Sequence, residues 1–285
     1  MIRFRTMMAF ALAATLLAVP AHAQLRTPRP SPGATVKQTI GITDLTVAYS
    51  RPGVKGRTIW GGLVPNDTLW RTGANEATTF TTSTEITFGG QKLAAGTYAV
   101  VTIPSKSEWT FVLNTDKDMW GSNGYQQSKD VLRLKATPTA AEHQEWMEFS
   151  FEDLTPTSAN LVLRWEKLRL AVPITADVNG LTLAACRAAI DTAKADNWRV
   201  RNSAARWCLD NDVALAEARP WLDQALKTEK NATTLGTLAR WQKKEGKTAD
   251  AIKSGEMAIA AGKAAKPPAD VTQIENLVKD WKAGK

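Results

Sequence analysis

The sequence predicts a mainly β N-terminal domain, an antiparallel β-sandwich, followed by an all-α C-terminal region of helical hairpins. Apolar residues alternate with polar ones at period two in many short segments between Ala34 and Ile174, with no long helical stretch among them. From Leu181 onward the strand signals stop, and Ala, Leu, Lys, Glu and Gln dominate, a helix-forming composition. The change of period near residue 178 divides the chain into a leader (1–23), a linker (24–33), a β-sandwich domain (34–177) and an α-helical tail (181–285).

The leader comes first. Arg3 and Arg5 precede an uncharged apolar run from Met7 to Val19, Pro20 breaks it, and Ala21-His22-Ala23 follows. That is the pattern of a secretory signal peptide cleaved after Ala23, so a periplasmic or secreted protein is expected. The run is short of the roughly 20 apolar residues that span a bilayer. No later stretch is long and apolar enough either, so no transmembrane segment is expected after cleavage.

The strand signals follow in order. Ile86 and Phe88 alternate with Glu85 and Thr87, and Gly89-Gly90 reads as a tight turn. Thr97 to Ile103 is rich in β-branched and aromatic residues and ends at Pro104; Trp109 to Leu113 and Val131 to Lys135 come next. Met147, Phe149 and Phe151 share one parity, as do Leu161, Leu163 and Trp165, and then Leu168, Leu170, Val172 and Ile174. Alternation of this kind places one parity in a core and the other towards solvent.

In the tail, Leu183, Cys186, Ile190 and Ala193 recur at helical spacing, as do Val200, Ala204, Trp207 and Cys208. Helical segments continue at 213–228, 232–245, 248–262 and 270–283, punctuated by Asn197, Asn231, Gly246 and Pro267-Pro268. Ala218, Leu222 and Ala225 have counterparts 33 residues later in Ala251, Gly255 and Ala258. With Gly246 at a turn, this resembles one or two degenerate tetratricopeptide repeats, in which small residues permit close helix approach. Gly255 departs from the pattern, which places an aromatic residue there. A short stack of this kind either binds a peptide or serves as a packing element.

Charge is uneven. Residues 24–178 carry 16 basic and 15 acidic side chains, residues 179–285 carry 18 and 13, so the excess basicity belongs to the tail. The excess suits an acidic partner or an anionic surface, or, as the preferred reading, a solvated Lys-rich helical surface, and no basic cluster or motif points to nucleic acid. The two cysteines, Cys186 and Cys208, are equidistant from Asn197, where the turn between the first two tail helices is expected. In an antiparallel pair they face each other, which predicts a disulfide worth on the order of 3 kcal/mol. The other reading is two reduced, buried, small apolar residues.

The most unusual segment is the long connection between strands over residues 51–78. It is dense in Gly, Pro, Arg and Trp, and a loop of this length is functional or else packed by its own side chains. Arg51, Arg57 and Arg71 offer forked donors to a carboxylate or phosphate. Trp60 and Trp70 can stack on a sugar ring or plug a core, and Asn75 and Glu76 can bind a polar ligand. The ligand-binding candidates are therefore Arg51, Arg57, Trp70, Arg71, Asn75 and Glu76.

The string SRPGVKGRTIWGGLVPNDTLWRTGANEATTF, with GTYAVVTIP, EWTFVLN and LRWEKLRLAVPI after it, closely resembles the bacterial domain-of-unknown-function 2911 family over about residues 30–175. The helical tail is similar to the one that often accompanies that domain. The resemblance implies an exported, mostly β domain, and it supplies no activity, substrate or catalytic residue to carry over.

Catalytic signatures are sparse. His143 is the single histidine after the leader and sits in the polar run Ala141–Glu145, read as an exposed loop. No His pair has metal-ligand spacing, and no nucleophile elbow or glycine-rich phosphate loop occurs, so no catalytic residue, metal or cofactor is assigned. Paired-carboxylate chemistry survives, because two acids can meet from anywhere in a fold; Glu76, Asp116 and Asp118 are its candidates. Asp116 and Asp118 lie beside Trp120 in a loop that also suits a sugar subsite or a plain polar turn. The expected function is a non-catalytic binding or scaffolding module of the cell envelope, whose partner is a polar small molecule, a glycan or an envelope protein. The alternative is a carboxylate-dependent hydrolase acting on a glycan or similar polar substrate.

Overall fold

The computed structural model describes residues 27–285; the leader and its cleavage site lie outside the described residues. Ten strands come first: β1 (Gly33–Ile40), β2 (Thr43–Ser50), β3 (Thr79–Thr82), β4 (Ile86–Phe88), β5 (Gln91–Leu93), β6 (Gly96–Ile103), β7 (Trp109–Asn114), β8 (Asp130–Ala136), β9 (Thr139–Glu152) and β10 (Ser158–Thr175). They form two antiparallel sheets, β1-β2-β3-β6-β7-β8 and β5-β4-β10-β9.

Alternation decides which side chains meet between the sheets. Phe80 and Phe111 of the first sheet contact Phe88 of the second, Phe80 at 5.1 Å and Phe111 at 5.5 Å between centroids. Tyr49 meets Phe149 edge-on at 5.1 Å, and its hydroxyl accepts the Phe149 amide. Each such ring removes about 150–250 Å² from water, which makes these contacts the main source of cohesion. The central strands β6 and β7 are covered on both faces. Val100 and Leu113 belong to the core between the sheets, whereas Ala99, Val101 and Val112 lie under Met119, Leu69, Ala77 and Tyr125 from two long connections.

Turn chemistry matches the reading at Gly89-Gly90. Both residues have positive φ, 55° and 82°, as a two-residue hairpin turn needs, and a Cβ on Gly89 would come within 2.1 Å of Leu134. The two parities around Trp165 and Leu168 belong to one strand, β10. Register shifts on either side of Glu166, which has φ 55°, insert a bulge that swaps the faces and keeps both apolar sets in the core.

Six helices follow: α1 (Val178–Thr192), α2 (Trp198–Asn211), α3 (Leu215–Thr228), α4 (Ala232–Lys244), α5 (Thr248–Ala264) and α6 (Thr272–Lys282). Helix starts at 178, three residues before the expected 181, because the Asp177 side chain caps α1 by accepting the Gly180 amide at 2.9 Å. Asn197 caps α2 and Asn231 completes a capping box on α4, as their places between periodic segments suggested. Ala218, Leu222, Ala225, Ala251, Gly255 and Ala258 are all buried. Gly255 lies where an aromatic residue would not fit: a Cβ there would meet Val278 of α6 at 2.3 Å.

Two expectations need correction. His143 lies in strand β9, not a loop, exposed and 3.4 Å from Glu145. Cys186 and Cys208 are free thiols, and no disulfide joins them. The hairpin places them near each other, and Cys208 is fully buried in the α2–α3 core. Burial first, then the neighbouring Cys186, pushes the Cys208 thiol up to about 11, which keeps it in the protonated, unreactive form. Among the described residues no helix is long and apolar enough to cross a membrane.

Candidate functional site

The connection between β2 and β3 is pinned along much of its length. Residues 52–54 lie on the open edge of β9: the Val54 amide donates to Glu145 O at 2.8 Å and the Met147 amide to Pro52 O at 3.0 Å. An uncovered edge would present unpaired backbone groups, and this segment satisfies several of them. Arg51 Nε donates to Met147 O at 2.9 Å, and Arg57 donates to the carbonyls of Gly53 at 2.6 Å and Val54 at 3.1 Å. These two guanidinium groups therefore hold backbone at the β9 edge.

Further along, Trp70 bridges to Thr102 through two backbone hydrogen bonds of 2.8 and 2.9 Å. Its ring joins Trp60, Trp109 and Trp165 in a four-tryptophan cluster, stacked on Trp165 at 5.8 Å and edge-on to Trp60 at 5.8 Å. Trp60 meets its three partner rings at 63–84°. The indole N–H groups of Trp60 and Trp165 are buried without a hydrogen-bond partner. Trp70 thus anchors the connection to the core.

The last part of the connection is different. Arg71 Nη1 donates to Asn75 O at 2.8 Å, and Asn75, with φ 58°, donates to Ser31 O at 3.0 Å and Ser50 Oγ at 3.2 Å. Asn tolerates the left-handed region that this turn requires. The turn delivers Glu76 to an antiparallel bridge with Trp120, from the connection between β7 and β8. Directly opposed residues of an antiparallel pair project to the same face, with Cβ atoms about 5 Å apart. The two side chains therefore leave the backbone on one face of the bridge. Met119 is buried beneath, and Arg71 Nη1 lies 3.3 Å from where a Cβ on Gly121 would be, so Arg71 touches both connections.

Arg29 completes the group. Its guanidinium donates to both Glu76 carboxylate oxygens, at 2.6 and 2.8 Å. That hydrogen bond is the main reason the Glu76 pKa falls below the ordinary glutamate value. The pair faces an open cleft of about 380 Å³ that also includes Thr35, Tyr49, Ser50 and Ala77. Trp120 is 62% exposed, the most exposed large hydrophobic side chain among the described residues.

The structure thus brings Arg71, Asn75 and Glu76 together, joins them to Arg29 and Trp120, and assigns Arg51, Arg57 and Trp70 to fixing the connection. Arg29 lay in the stretch read as linker, and no local pattern marks its partner 47 residues away. Trp120 carried a signal, an aromatic residue in a polar Gly-containing loop, but its pairing with Glu76 is a long-range event. The other candidate acids face cations. Asp116 accepts from Lys129 at 2.8 Å, which lowers its pKa, and Asp118 lies 3.2 Å from Lys117. Among the described residues no group of three or more His, Cys, Asp or Glu is placed to hold a metal ion.

Comparison with known proteins gives one family. A family model described as "Protein of unknown function (DUF2911)" matches residues 31–174. Searches of curated proteins and of solved structures return no match.

Proposed function

We propose a function from the geometry of the chain itself, because it belongs to the DUF2911 family, whose description assigns no activity. The reading is a non-catalytic binding module. Two β-sheets packed as a sandwich carry a recognition surface at the seam between residues 71–78 and 115–121. The leader pattern supports export to the periplasm or beyond, and the helical tail is read as a degenerate tetratricopeptide-like packing or scaffolding element.

The observation that carries the binding reading is the pairing of Glu76 with Trp120. It sets an exposed tryptophan directly across the backbone from the glutamate of an ion pair that lines an open cleft, and the scaffold beneath is hydrogen-bonded and buried. Binding sites combine apolar faces with a few placed polar groups in this way. The hydrolase alternative needs a carboxyl held protonated as general acid. Arg29 holds Glu76 ionised and Lys129 does the same for Asp116, which favours binding over acid catalysis. The tail has its own groove among α2, α4 and α6, but its Arg206 and Arg240 both pair with Asp210, so it offers an acidic partner little free charge.

A thermal-shift screen of glycans, peptides, divalent metals and nucleotides tests the reading, run on the wild type, Arg71→Ala and Glu76→Gln. Arg71→Ala is expected to lower both the melting temperature and the ligand response, because it releases the turn. Glu76→Gln is expected to change the ligand response with little loss of melting temperature, because exposed ion pairs contribute only about 0–1 kcal/mol. If both variants lose melting temperature and no ligand response changes, the segment is packing and the reading fails.

A further inference from the structure

The geometry points to a saccharide subsite: the exposed face of Trp120 stacks a pyranose ring whose hydroxyls hydrogen-bond to Glu76 and Arg29. This rests on the binding reading above and names its ligand class. The first reason is the state of the indole. Trp146, the other exposed tryptophan, has Lys55 over its ring at 5.7 Å and lies on the β9 edge that residues 52–54 cover. Trp120 has no ring or cation against it among the described residues, although its backbone is bridged to Glu76 and its neighbour Met119 is buried. An aromatic residue of this size, uncovered on a fixed backbone, exposes apolar area that a partner can remove from water.

The second reason is the polar surround. A pyranose presents an apolar face of axial C–H groups and a rim of hydroxyls, each both donor and acceptor. The Glu76 carboxylate, on the residue bridged to Trp120, offers acceptor lone pairs, and Arg29, paired with Glu76, offers donors. Ser50 and Thr35 add neutral hydroxyls in the adjoining cleft. A phosphate or a carboxylate ligand fits poorly, because Glu76 already occupies Arg29 and repels a second anion. A flat face bordered by one donor group, one acceptor group and hydroxyls suits a neutral polyhydroxylated ring best. The main competitor on chemical grounds, a proline-rich peptide, stacks on indoles but leaves the paired charges without hydroxyl partners.

The test follows the indole N–H resonances of the full chain by two-dimensional NMR while cellohexaose or chitohexaose is added, with decaproline as the peptide probe. The Trp120 signal is identified by its loss in Trp120→Ala, a substitution at a surface position that should leave the fold intact. The expected result is a saturable shift of the Trp120 signal with an oligosaccharide. Trp120→Ala is expected to weaken binding at least about tenfold, which corresponds to roughly 1.4 kcal/mol. Trp120→Phe should retain part of the affinity, Glu76→Gln should weaken it severalfold, and Trp146→Ala should leave it unchanged. If decaproline shifts Trp120 and the oligosaccharides do not, the saccharide assignment is overturned and the binding reading stands. If oligosaccharides act on Trp146 or on no tryptophan at concentrations up to about 10 mM, the subsite is refuted.

Discussion

Replacing Asn75 by alanine removes donors to Ser31 O and Ser50 Oγ and forces a Cβ-bearing residue without local polar compensation to keep φ 58°. The expected cost is about 2 kcal/mol, read as a lower urea midpoint, and Asn75→Gly should cost less because glycine accepts that backbone freely. Cys208 carries a second residue-scale expectation. Burial raises its thiol from 9.0 to about 11, so the folded state favours the protonated form more than the unfolded chain does. The associated stability is complete below the unfolded value and is lost as pH rises from about 9 to about 11. Thermal melts across that range should show the loss, and Cys208→Ala should flatten it; an unchanged slope would contradict the assignment. At this scale the sequence exposes which residues are unusual but not what they touch. Arg51 is chemically a carboxylate clamp, yet its Nε serves the carbonyl of Met147, 96 positions away, and its Nη2 lies 3.6 Å from the next residue, Glu148. Local pattern carries no information about such a partner, and the same holds for Arg29 and Glu76.

Elements were far more legible, because periodicity is a local property. The helical segments expected at 213–228, 232–245, 248–262 and 270–283 correspond to α3–α6 with ends displaced by a few residues. Asn231, Gly246 and the Pro267-Pro268 pair mark several of those ends in the sequence itself. The bulge at Glu166 was visible only as a change of parity between Trp165 and Leu168, and two short strands explain that change equally well. Two glycines within helices give opposite expectations. Gly255→Ala drives a Cβ to 2.3 Å from Val278, so α5 and α6 must separate, at a cost of about 1–3 kcal/mol. Gly236→Ala in α4 meets nothing within 4 Å and should stabilise by about 0.5–1 kcal/mol through reduced backbone entropy. Chemical denaturation of the two variants side by side checks the signs.

On the scale of the whole molecule, the strands build one large apolar core and a smaller one on the outer face of β6 and β7, and the helices build two others, with Val178 packing from the start of α1 onto the large β core beneath Gly41. The change of period at 178 made that sequence of strands then helices readable. The pairing of two sheets around Phe80, Phe88 and Phe111, and the meeting of two connections at Glu76 and Trp120, depend on tertiary contacts that no single window contains. The proposed recognition surface is therefore a product of the assembled strands and not of any motif. A crystal structure of the full chain grown with cellohexaose or chitohexaose tests this most directly. The account predicts a sugar ring lying parallel to the Trp120 indole, about 4 Å above it, with a hydroxyl on the Glu76 carboxylate. A bound saccharide seated instead among α2, α4 and α6, or a bare Trp120 face in crystals that hold the sugar elsewhere, would contradict it.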